Sequence, residues 1–275
     1  MTDLEITVVV PTVGRPSLAA TLAALDPDPG VEVIVVDDRP AGAGDPLPVP
    51  GHVRVLPGGG RGPAAARNAG WRAAATGWVA FLDDDVVPPP TWLRDLRADL
   101  AGLPGDVAAS QGRIDVPLPG GRRPTDAERN TAGLAGARWI TADIAYRRAA
   151  LAAAGGFDER FPRAYREDAD LALRVRAAGH RLVRGERVTR HPVRDDGWWA
   201  SVRAQRGNAD DALMRRVHGP GWRAAAGTGP GRLRRHAATT GLGLLAAALA
   251  LAARLAPGPR APGSRALGPR VPGSR

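Results

Sequence analysis

Residues 78–85 have the sequence WVAFLDDD, in which five apolar residues are followed at once by three aspartates. A short apolar run without alternation is typical of a strand that is buried on both faces of a parallel sheet. Pro88-Pro89-Pro90 lies just beyond the acids and fixes the direction of the backbone there. This stretch therefore predicts a buried strand whose carboxyl end carries three carboxylates.

Two apolar runs nearer the N-terminus repeat this pattern. Residues 6–10 stop at Pro11, and residues 31–36 stop at the pair Asp37-Asp38. Ligands of parallel sheets bind beyond the carboxyl ends of the strands. The acids at these strand ends are therefore expected to lie along one edge of the sheet.

Segments with helical spacing separate the predicted strands. They cover residues 17–25, 63–75 and 91–100, and a short strand is predicted at 53–56. Such alternation predicts an α/β fold with a Rossmann-like, mostly parallel sheet and helices on both faces. Further along, the pattern predicts irregular loops at 102–138, helices at 148–154 and 167–178, and a short strand at 181–183.

The basic charge is concentrated in the last quarter of the chain. Residues 201–275 hold 13 Arg and two acids, whereas residues 1–200 hold 25 Arg and 26 acids. A basic segment attracts anionic membrane surfaces or nucleic acid. Because it lacks aromatic residues interleaved with the basic ones and has no zinc-ligand spacing, no nucleic-acid partner is expected. The chain has no Cys, which excludes disulfides and thiolate metal sites.

The chain divides into three predicted regions. They are a catalytic domain at 1–200, a basic helical extension at 201–256 and a disordered Arg/Pro/Gly tail at 257–275. No secretory signal precedes the first strand, so the catalytic domain is expected in the cytoplasm.

The extension contains an apolar, Ala- and Leu-rich segment at 237–253, and Arg residues flank it on both sides. It fits a helix that spans a membrane, a helix that lies in the interface, or a soluble helix packed on the domain. The first two would attach the protein to the inner face of the plasma membrane.

The three adjacent carboxylates favour a neutralising cation, because like charges repel one another. Mg²⁺ and Mn²⁺ prefer carboxylate oxygens and substrate phosphates, so Asp83 and Asp85 are candidate metal ligands. His191 is a weaker candidate, since a lone His is more often structural. The alternative for the acids is a solvated loop, or a helix start that they stabilise.

Other polar residues have two interpretations each. Asp38 can accept a hydrogen bond from a base or ribose, or it can begin a turn. Arg67 can meet a diphosphate or the neighbouring acids, or it can lie on the surface. Glu167 and Asp168 begin a helix, where acids are common, but a carboxylate that faces a cleft there can act as a general base. Trp198 and Trp199 can form a platform for the acceptor, or belong to the core or a membrane interface.

Taken in order, six motifs resemble those of the family 2 glycosyltransferases over residues 6 to about 200. They are Val8-Val9-Val10-Pro11-Thr12, Val35-Val36-Asp37-Asp38, Ala66-Arg67-Asn68-Ala69-Gly70, Phe81-Leu82-Asp83-Asp84-Asp85, Gly155-Gly156-Phe157-Asp158-Glu159 and Glu167-Asp168-Ala169-Asp170-Leu171. The resemblance implies a GT-A fold and an inverting transfer of sugar from a nucleoside diphosphate donor to an acceptor hydroxyl, assisted by Mn²⁺ or Mg²⁺. It also implies a role in the synthesis of cell-envelope glycans, glycolipids or small-molecule glycosides.

The resemblance and the residue chemistry described above together assign roles to residues. Asp168 would be the catalytic base, and Asp85 would be the principal metal ligand, with Asp83 and His191 beside it. The donor would contact the residues Pro11, Thr12, Asp38, Arg67, Asp83 and Asp84. The acceptor side would hold Asp143, Glu167, Trp198 and Trp199.

Three positions depart from the family pattern. Arg39-Pro40 follows the paired acids where Gly-Ser is usual, Val13 stands where an aromatic residue is frequent, and Asp143 replaces a neutral residue. The first two bear on base stacking and on the choice of donor, and the third bears on the acceptor. Two other functions also stay open: a metal-dependent nucleotidyltransferase, and a non-catalytic, membrane-anchored protein that binds nucleotide sugars. Release of pyrophosphate would indicate the former.

Overall fold

The computed structural model describes residues 4–194, 197, 199, 202, 205–231 and 233–255. Its seven strands form one sheet in the order β3-β2-β1-β4-β6-β5-β7. They are β1 (Ile6–Thr12), β2 (Val31–Asp37), β3 (Val53–Pro57), β4 (Trp78–Leu82), β5 (Val107–Asp115), β6 (Asp143–Arg147) and β7 (Arg181–Arg190). Strands β1 to β4 are parallel, and β6 runs antiparallel to both of its neighbours. The predicted mostly parallel sheet is thus confirmed.

Helices cover both faces of this sheet, as expected. They are α1 (Leu18–Leu22), α2 (Pro63–Ala73), α3 (Trp92–Leu100), α4 (Asp126–Ala132), α5 (Arg148–Ala153) and α6 (Glu167–Ala177). Helix α2 begins with Pro63 at its first position, where the missing N–H costs nothing. Thr125 and Glu128 form a capping box at the start of α4. Ser17 and Thr91 occupy N-cap positions, but their side chains cap no backbone N–H.

Two hydrophobic cores follow from the alternation of side chains along the strands. On β1, Val8 and Val10 face the core with α1 and α3, whereas Val9 faces the core with α2, α5 and α6. Because β1, β2 and β4 are apolar on both faces, they lie in the middle of the fold. Their carboxyl ends therefore lie at one edge of the sheet. Thr12 ends β1 there, Asp38 directly follows β2, and Asp83 directly follows β4.

The structure corrects two expectations for the second half of the sheet. Residues 102–138 are not all irregular, because β5 runs through them, and β7 extends well beyond residue 183. Both strands turn polar side chains inward. Ser110 and Gln111 of β5 are buried, and Arg187 and Thr189 of β7 are buried while Val188 is exposed. Apolar patterning therefore could not reveal either strand.

The chain divides after Gly229, later than the predicted boundary at residue 200. Two further helices, α7 (Asn208–His218) and α8 (Trp222–Ala225), belong to the first unit, because Met214 and Trp222 pack on Phe161 and Ala169. The second unit contains α9 (Leu233–Leu255), which has 23 residues. The segment Arg235–Leu255 of this helix is long enough and apolar enough to cross a membrane. The predicted tail at 257–275 lies outside the described residues.

Candidate functional site

A cleft of about 580 Å³ opens at the carboxyl ends of β1, β2 and β4. Most of the predicted site residues line it: Pro11, Thr12, Asp38, Arg67, Asp83, Asp84, Asp85, Glu167, Asp168 and His191. Residues from the loops after three parallel strands thus meet the start of α6 in one cavity. Such a crevice is the usual ligand site of an open α/β sheet.

Asp38 holds the loop that leads into α2. Its carboxylate oxygens accept backbone N–H bonds from Arg61 at 3.0 Å and from Gly62 at 2.8 Å. Gly62 has a φ of 94°, and a Cβ there would lie 2.8 Å from the carbonyl oxygen of Pro162. Asp38 therefore fixes one wall of the cleft and lines it at the same time.

The three acids after β4 face different surroundings. Asp84 is buried and accepts hydrogen bonds from the Thr12 hydroxyl at 2.6 Å and from Arg15 Nη1 at 2.5 Å. It therefore ties the end of β1 to the end of β4. Asp83 and Asp85 do not share this contact with β1, and they pair with Arg67 and Arg194 instead.

Asp85 is the best candidate metal ligand among the described residues. Its Oδ1 lies 3.7 Å from His191 Nε2, and its Oδ2 lies 2.9 Å from Arg194 Nη1. Burial, followed by the charge of Asp83, raises the pKa of Asp85 above its usual range. A buried carboxylate of this kind is stabilised by an added cation.

The described residues contain no cluster of three acids or His that completes a metal site. Mg²⁺ and Mn²⁺ typically bind through one or two carboxylates plus substrate phosphates and water. Asp85, with at most one neighbouring carboxylate, fits this type of shared site, in which the ligand supplies the remaining oxygens.

Arg67 joins the two groups of acids across the cleft. It is almost fully buried, and it donates from Nη1 to Glu167 Oε1 at 2.8 Å and from Nη2 to Asp83 Oδ1 at 2.7 Å. Arg67 therefore contacts the neighbouring acids, and it does not lie on the surface. The buried Glu167 has its pKa raised to about 8 by burial and by the charge of Asp168, and Arg67 offsets part of this rise.

Asp168 lies half-buried at the start of α6, where it lines the cleft. Its Oδ1 accepts the N–H of Ala169 at 2.6 Å, and burial raises its pKa above the usual Asp value. Asp170 is itself fully buried and faces the other way, where it contacts Arg174 and His218. Of the Asp pair on this helix, only Asp168 is among the residues that line the cleft.

The placement of Asp143 on the acceptor side is wrong. Its side chain is fully buried and accepts hydrogen bonds from Trp92 Nε1 at 2.8 Å, Arg187 Nε at 2.7 Å and the Thr189 hydroxyl. It balances the charge of the buried Arg187 side chain, and it is not among the residues that line the cleft. Trp199 is exposed and is not among the residues that line the cleft. Trp198 lies outside the described residues.

Sequence reasoning missed several residues that line the cleft. They include Arg15, Asn130, Thr131, Leu134 and Arg194. Arg15 follows β1 within three residues and Arg194 follows His191 within three, and proximity to these motifs is the signal that could have found them. The residues of α4 and the turn after it gave no such signal, because they reach the cleft from a segment predicted as loops.

The mostly parallel sheet, with acids at its strand ends and a carboxylate at the start of α6, has the GT-A fold of glycosyltransferases. The family model described as glycosyl transferase family 2 matches residues 7–150, and the chain belongs to this family.

Similar proteins agree with this assignment. A pre-mycofactocin glycosyltransferase of Mycobacterium tuberculosis is 34% identical over 202 residues, which cover 65% of this chain and 40% of that protein. The chain thus matches less than half the length of this relative. The mannosyltransferase PcManGT from Pyrobaculum calidifontis, in complex with GDP-Man and Mn²⁺, aligns with a TM-score of 0.52 at 21% identity, over 90% of this chain and 80% of that one. Residues 1–349 of Staphylococcus aureus TarS, in complex with UDP, align with a TM-score of 0.50 at 19% identity, over 70% and 61% of the two chains. These two structures are similar in fold.

Proposed function

We propose that this protein transfers a sugar from a nucleoside diphosphate sugar to an acceptor hydroxyl, with inversion and with the help of a divalent metal. The observation that carries the proposal is the single cleft onto which Asp38, Asp85 and Asp168 all open. A donor site, a charge-neutralising site and a base are the three elements that such a displacement needs.

The nucleotide is assigned to the part of the cleft beside β1 and β2. Pro11 and Thr12 line it, and Asp38 fixes its wall. Asp38 still has lone pairs beyond the two backbone bonds, so it can accept a hydrogen bond from a base or ribose. Fold neighbours with bound UDP and GDP-Man support a nucleotide donor of this class.

Asp85, with Asp83 and His191, would hold Mn²⁺ or Mg²⁺. When bound, the metal neutralises negative charge on the departing diphosphate. The guanidinium groups of Arg15 and Arg194 line the same part of the cleft and add positive charge there.

The base is Asp168, and the acceptor is a hydroxyl-bearing glycan, lipid-linked sugar or small molecule. A sugar hydroxyl is a weak nucleophile, so its proton must leave as the new bond forms. The carboxylate of Asp168 accepts that proton, the hydroxyl oxygen attacks the anomeric carbon, and the bond to the diphosphate breaks. A single displacement of this kind inverts the anomeric centre.

The raised pKa of Asp168 predicts the pH dependence of turnover. Only the ionised carboxylate accepts a proton, so kcat should rise as the pH passes a value above the usual ~3.9 of Asp. Glu167, whose pKa is raised to about 8, should contribute a second ionisation. Because the two acids are neighbours, the measured values belong to the pair. A pH profile of kcat at saturating donor checks this.

The control for this profile is Glu167→Gln, which keeps an oxygen for Arg67. It should lose the ionisation near pH 8 and keep the rise assigned to Asp168. A kcat that does not rise with pH anywhere between about pH 4 and pH 9 contradicts the base assignment.

The reaction class is tested by the product of turnover. We would incubate the protein with a panel of nucleotide sugars, Mn²⁺ or Mg²⁺ and candidate acceptors, and identify the released phosphate compound. A nucleoside diphosphate is expected. Pyrophosphate would instead indicate a nucleotidyltransferase, and donor binding without any turnover would indicate a non-catalytic binding protein.

We further propose that α9 associates with a membrane and holds the catalytic unit at its cytoplasmic face. Its 23 residues give a helix of about 34 Å, enough to cross a hydrocarbon core of ~30 Å. Its leucines from Leu242 to Leu255 are exposed, and Arg232, Arg234 and Arg235 precede the apolar stretch. Basic residues on the side of the catalytic unit favour a cytoplasmic location for that unit.

Truncation after Gly231 should therefore move the protein from the membrane fraction to the soluble fraction, because the apolar helix is removed. Truncation after Pro257 is the matched control, since it removes the Arg-rich tail and keeps α9. Fractionation followed by immunoblotting measures both. An unchanged distribution of the shorter protein refutes the anchoring role of α9.

A further inference from the structure

Helix α6 begins with an unfavourable backbone conformation. Arg166, directly before Glu167 and Asp168, has φ 79° and ψ −16°, which lies in the left-handed region. A residue with a Cβ is disfavoured there and persists only where its surroundings hold it. Among the described residues, Trp139 is the one other non-glycine residue with a positive φ.

The side chain of Arg166 is held by α7 and α8. Its Nε donates to Asp211 Oδ1 at 2.8 Å, and its Nη2 donates to the Tyr165 hydroxyl at 2.6 Å. The guanidinium carbon lies 4.2 Å from the ring centroid of Tyr165 and 5.0 Å from that of Trp222. Asp211 also accepts a hydrogen bond from Arg223, which fixes its own position.

An ion pair and a contact with a histidine connect the same C-terminal segment to both sides of Asp168. We name residues 205–229 the C-terminal cap. Before the helix, Arg163 donates to both oxygens of buried Asp210 at 2.8 and 2.9 Å. Within the helix, buried Asp170 lies 2.7 Å from His218 Nε2. Each of these pairs has at least one buried partner, so their loss should be felt more than that of an exposed pair.

We propose that the C-terminal cap positions Asp168 for proton transfer, with Asp211 as the positioning residue that acts through Arg166. The proposal rests on the proposed function, because Asp168 must be the base. No residue of the cap lines the cleft, so the cap acts on the helix and makes no contact with substrate. Small displacements of a catalytic group lower the rate strongly. The cap therefore affects turnover through the position of α6.

The test is Asp211→Asn in the full-length protein, which removes the charge that holds Arg166. We expect kcat to fall about tenfold while the donor dissociation constant is unchanged. Amide hydrogen exchange should rise in residues 163–170. Asp211→Glu should recover part of kcat, because it restores the charge. Asp106→Asn is the matched control, since it breaks an exposed pair with Arg181 elsewhere on the surface.

A second variant covers the case in which Asp211→Asn does not fold. Arg166→Gly removes the guanidinium but adopts a positive φ without strain, so it should fold and still lose kcat. Wild-type kcat in a folded variant, despite faster exchange in residues 163–170, overturns the positioning role. If the wild-type protein turns over no nucleotide sugar, the proposed function fails by itself. The exchange measurement then still shows whether the cap holds the start of α6.

Discussion

Replacement of Asp168 by Asn is expected to lower sugar transfer by about 10² or more, while donor and metal binding stay nearly normal. The amide has the size of the carboxylate but cannot accept the proton of the acceptor hydroxyl. Asp168 is half-buried at the edge of the cleft and its Oδ1 bonds only its own helix, so the change should disturb little else. Donor affinity and transfer rate should be measured on one preparation.

Asp95→Asn is the matched control for this variant. Asp95 also lies in the first turn of a helix, α3, but it does not line the cleft. It should transfer sugar at the wild-type rate. Near-normal transfer by Asp168→Asn would show that the base lies elsewhere. A collapse of donor affinity would place Asp168 in the donor site instead.

Removal of the metal is expected to have an effect of similar size. Excess EDTA and Asp85→Ala should each abolish measurable transfer, because the leaving diphosphate then develops charge without a neutralising cation. Added Mn²⁺ or Mg²⁺ should restore the chelated wild-type protein and leave the variant inactive. Mn²⁺ binding in the presence of a nucleoside diphosphate, followed by electron paramagnetic resonance, gives a readout that does not depend on turnover.

Asp37→Ala is the control for the metal variant. Asp37 also ends a parallel strand, but it pairs with Arg39 and is not among the residues that line the cleft. Its loss should leave Mn²⁺ binding unchanged. Full activity of the wild-type protein in excess chelator would contradict the metal assignment and would leave Arg15 and Arg194 as the groups that balance the diphosphate.

The first half of the sheet was predictable from the sequence because its strands are apolar on both faces. Val8 and Val9 point to opposite cores, and both are fully buried. An uninterrupted apolar run is the expected result of that arrangement. The position of the acids at the strand ends then follows from topology alone, and this is why Asp38 and Asp85 could be placed at one edge.

The second half of the sheet was not predictable because it buries charge. Arg187 and Asp143 form a fully buried ion pair, with Asp99 and Ser110 as further partners of Arg187. Arg, Asp and Ser are residue types that are mostly exposed in folded proteins, so none of them indicates a buried strand. The same reason explains the wrong placement of Asp143, since its partner lies 44 residues away in sequence.

The links between motifs were also hidden from the sequence. Arg67 bridges Asp83 and Glu167, but nothing in the spacing of these residues shows that one guanidinium contacts both. The ion pairs between the C-terminal cap and the start of α6 likewise join ordinary Arg and Asp residues, and only the three-dimensional structure shows which of them pair. Local patterns predict elements and their ends, whereas long-range ion pairs depend on how those elements pack.

The most direct test of the central claim is proton NMR of the transfer reaction. It uses a nucleotide sugar of known anomeric configuration and an acceptor that the product assay has identified. We predict formation of a glycoside with the opposite anomeric configuration, together with one nucleoside diphosphate for each bond formed. Such a result is expected from a single displacement in which Asp168 accepts the proton. A product that retains the configuration of the donor would contradict this mechanism, and release of pyrophosphate would contradict the assignment as a glycosyltransferase.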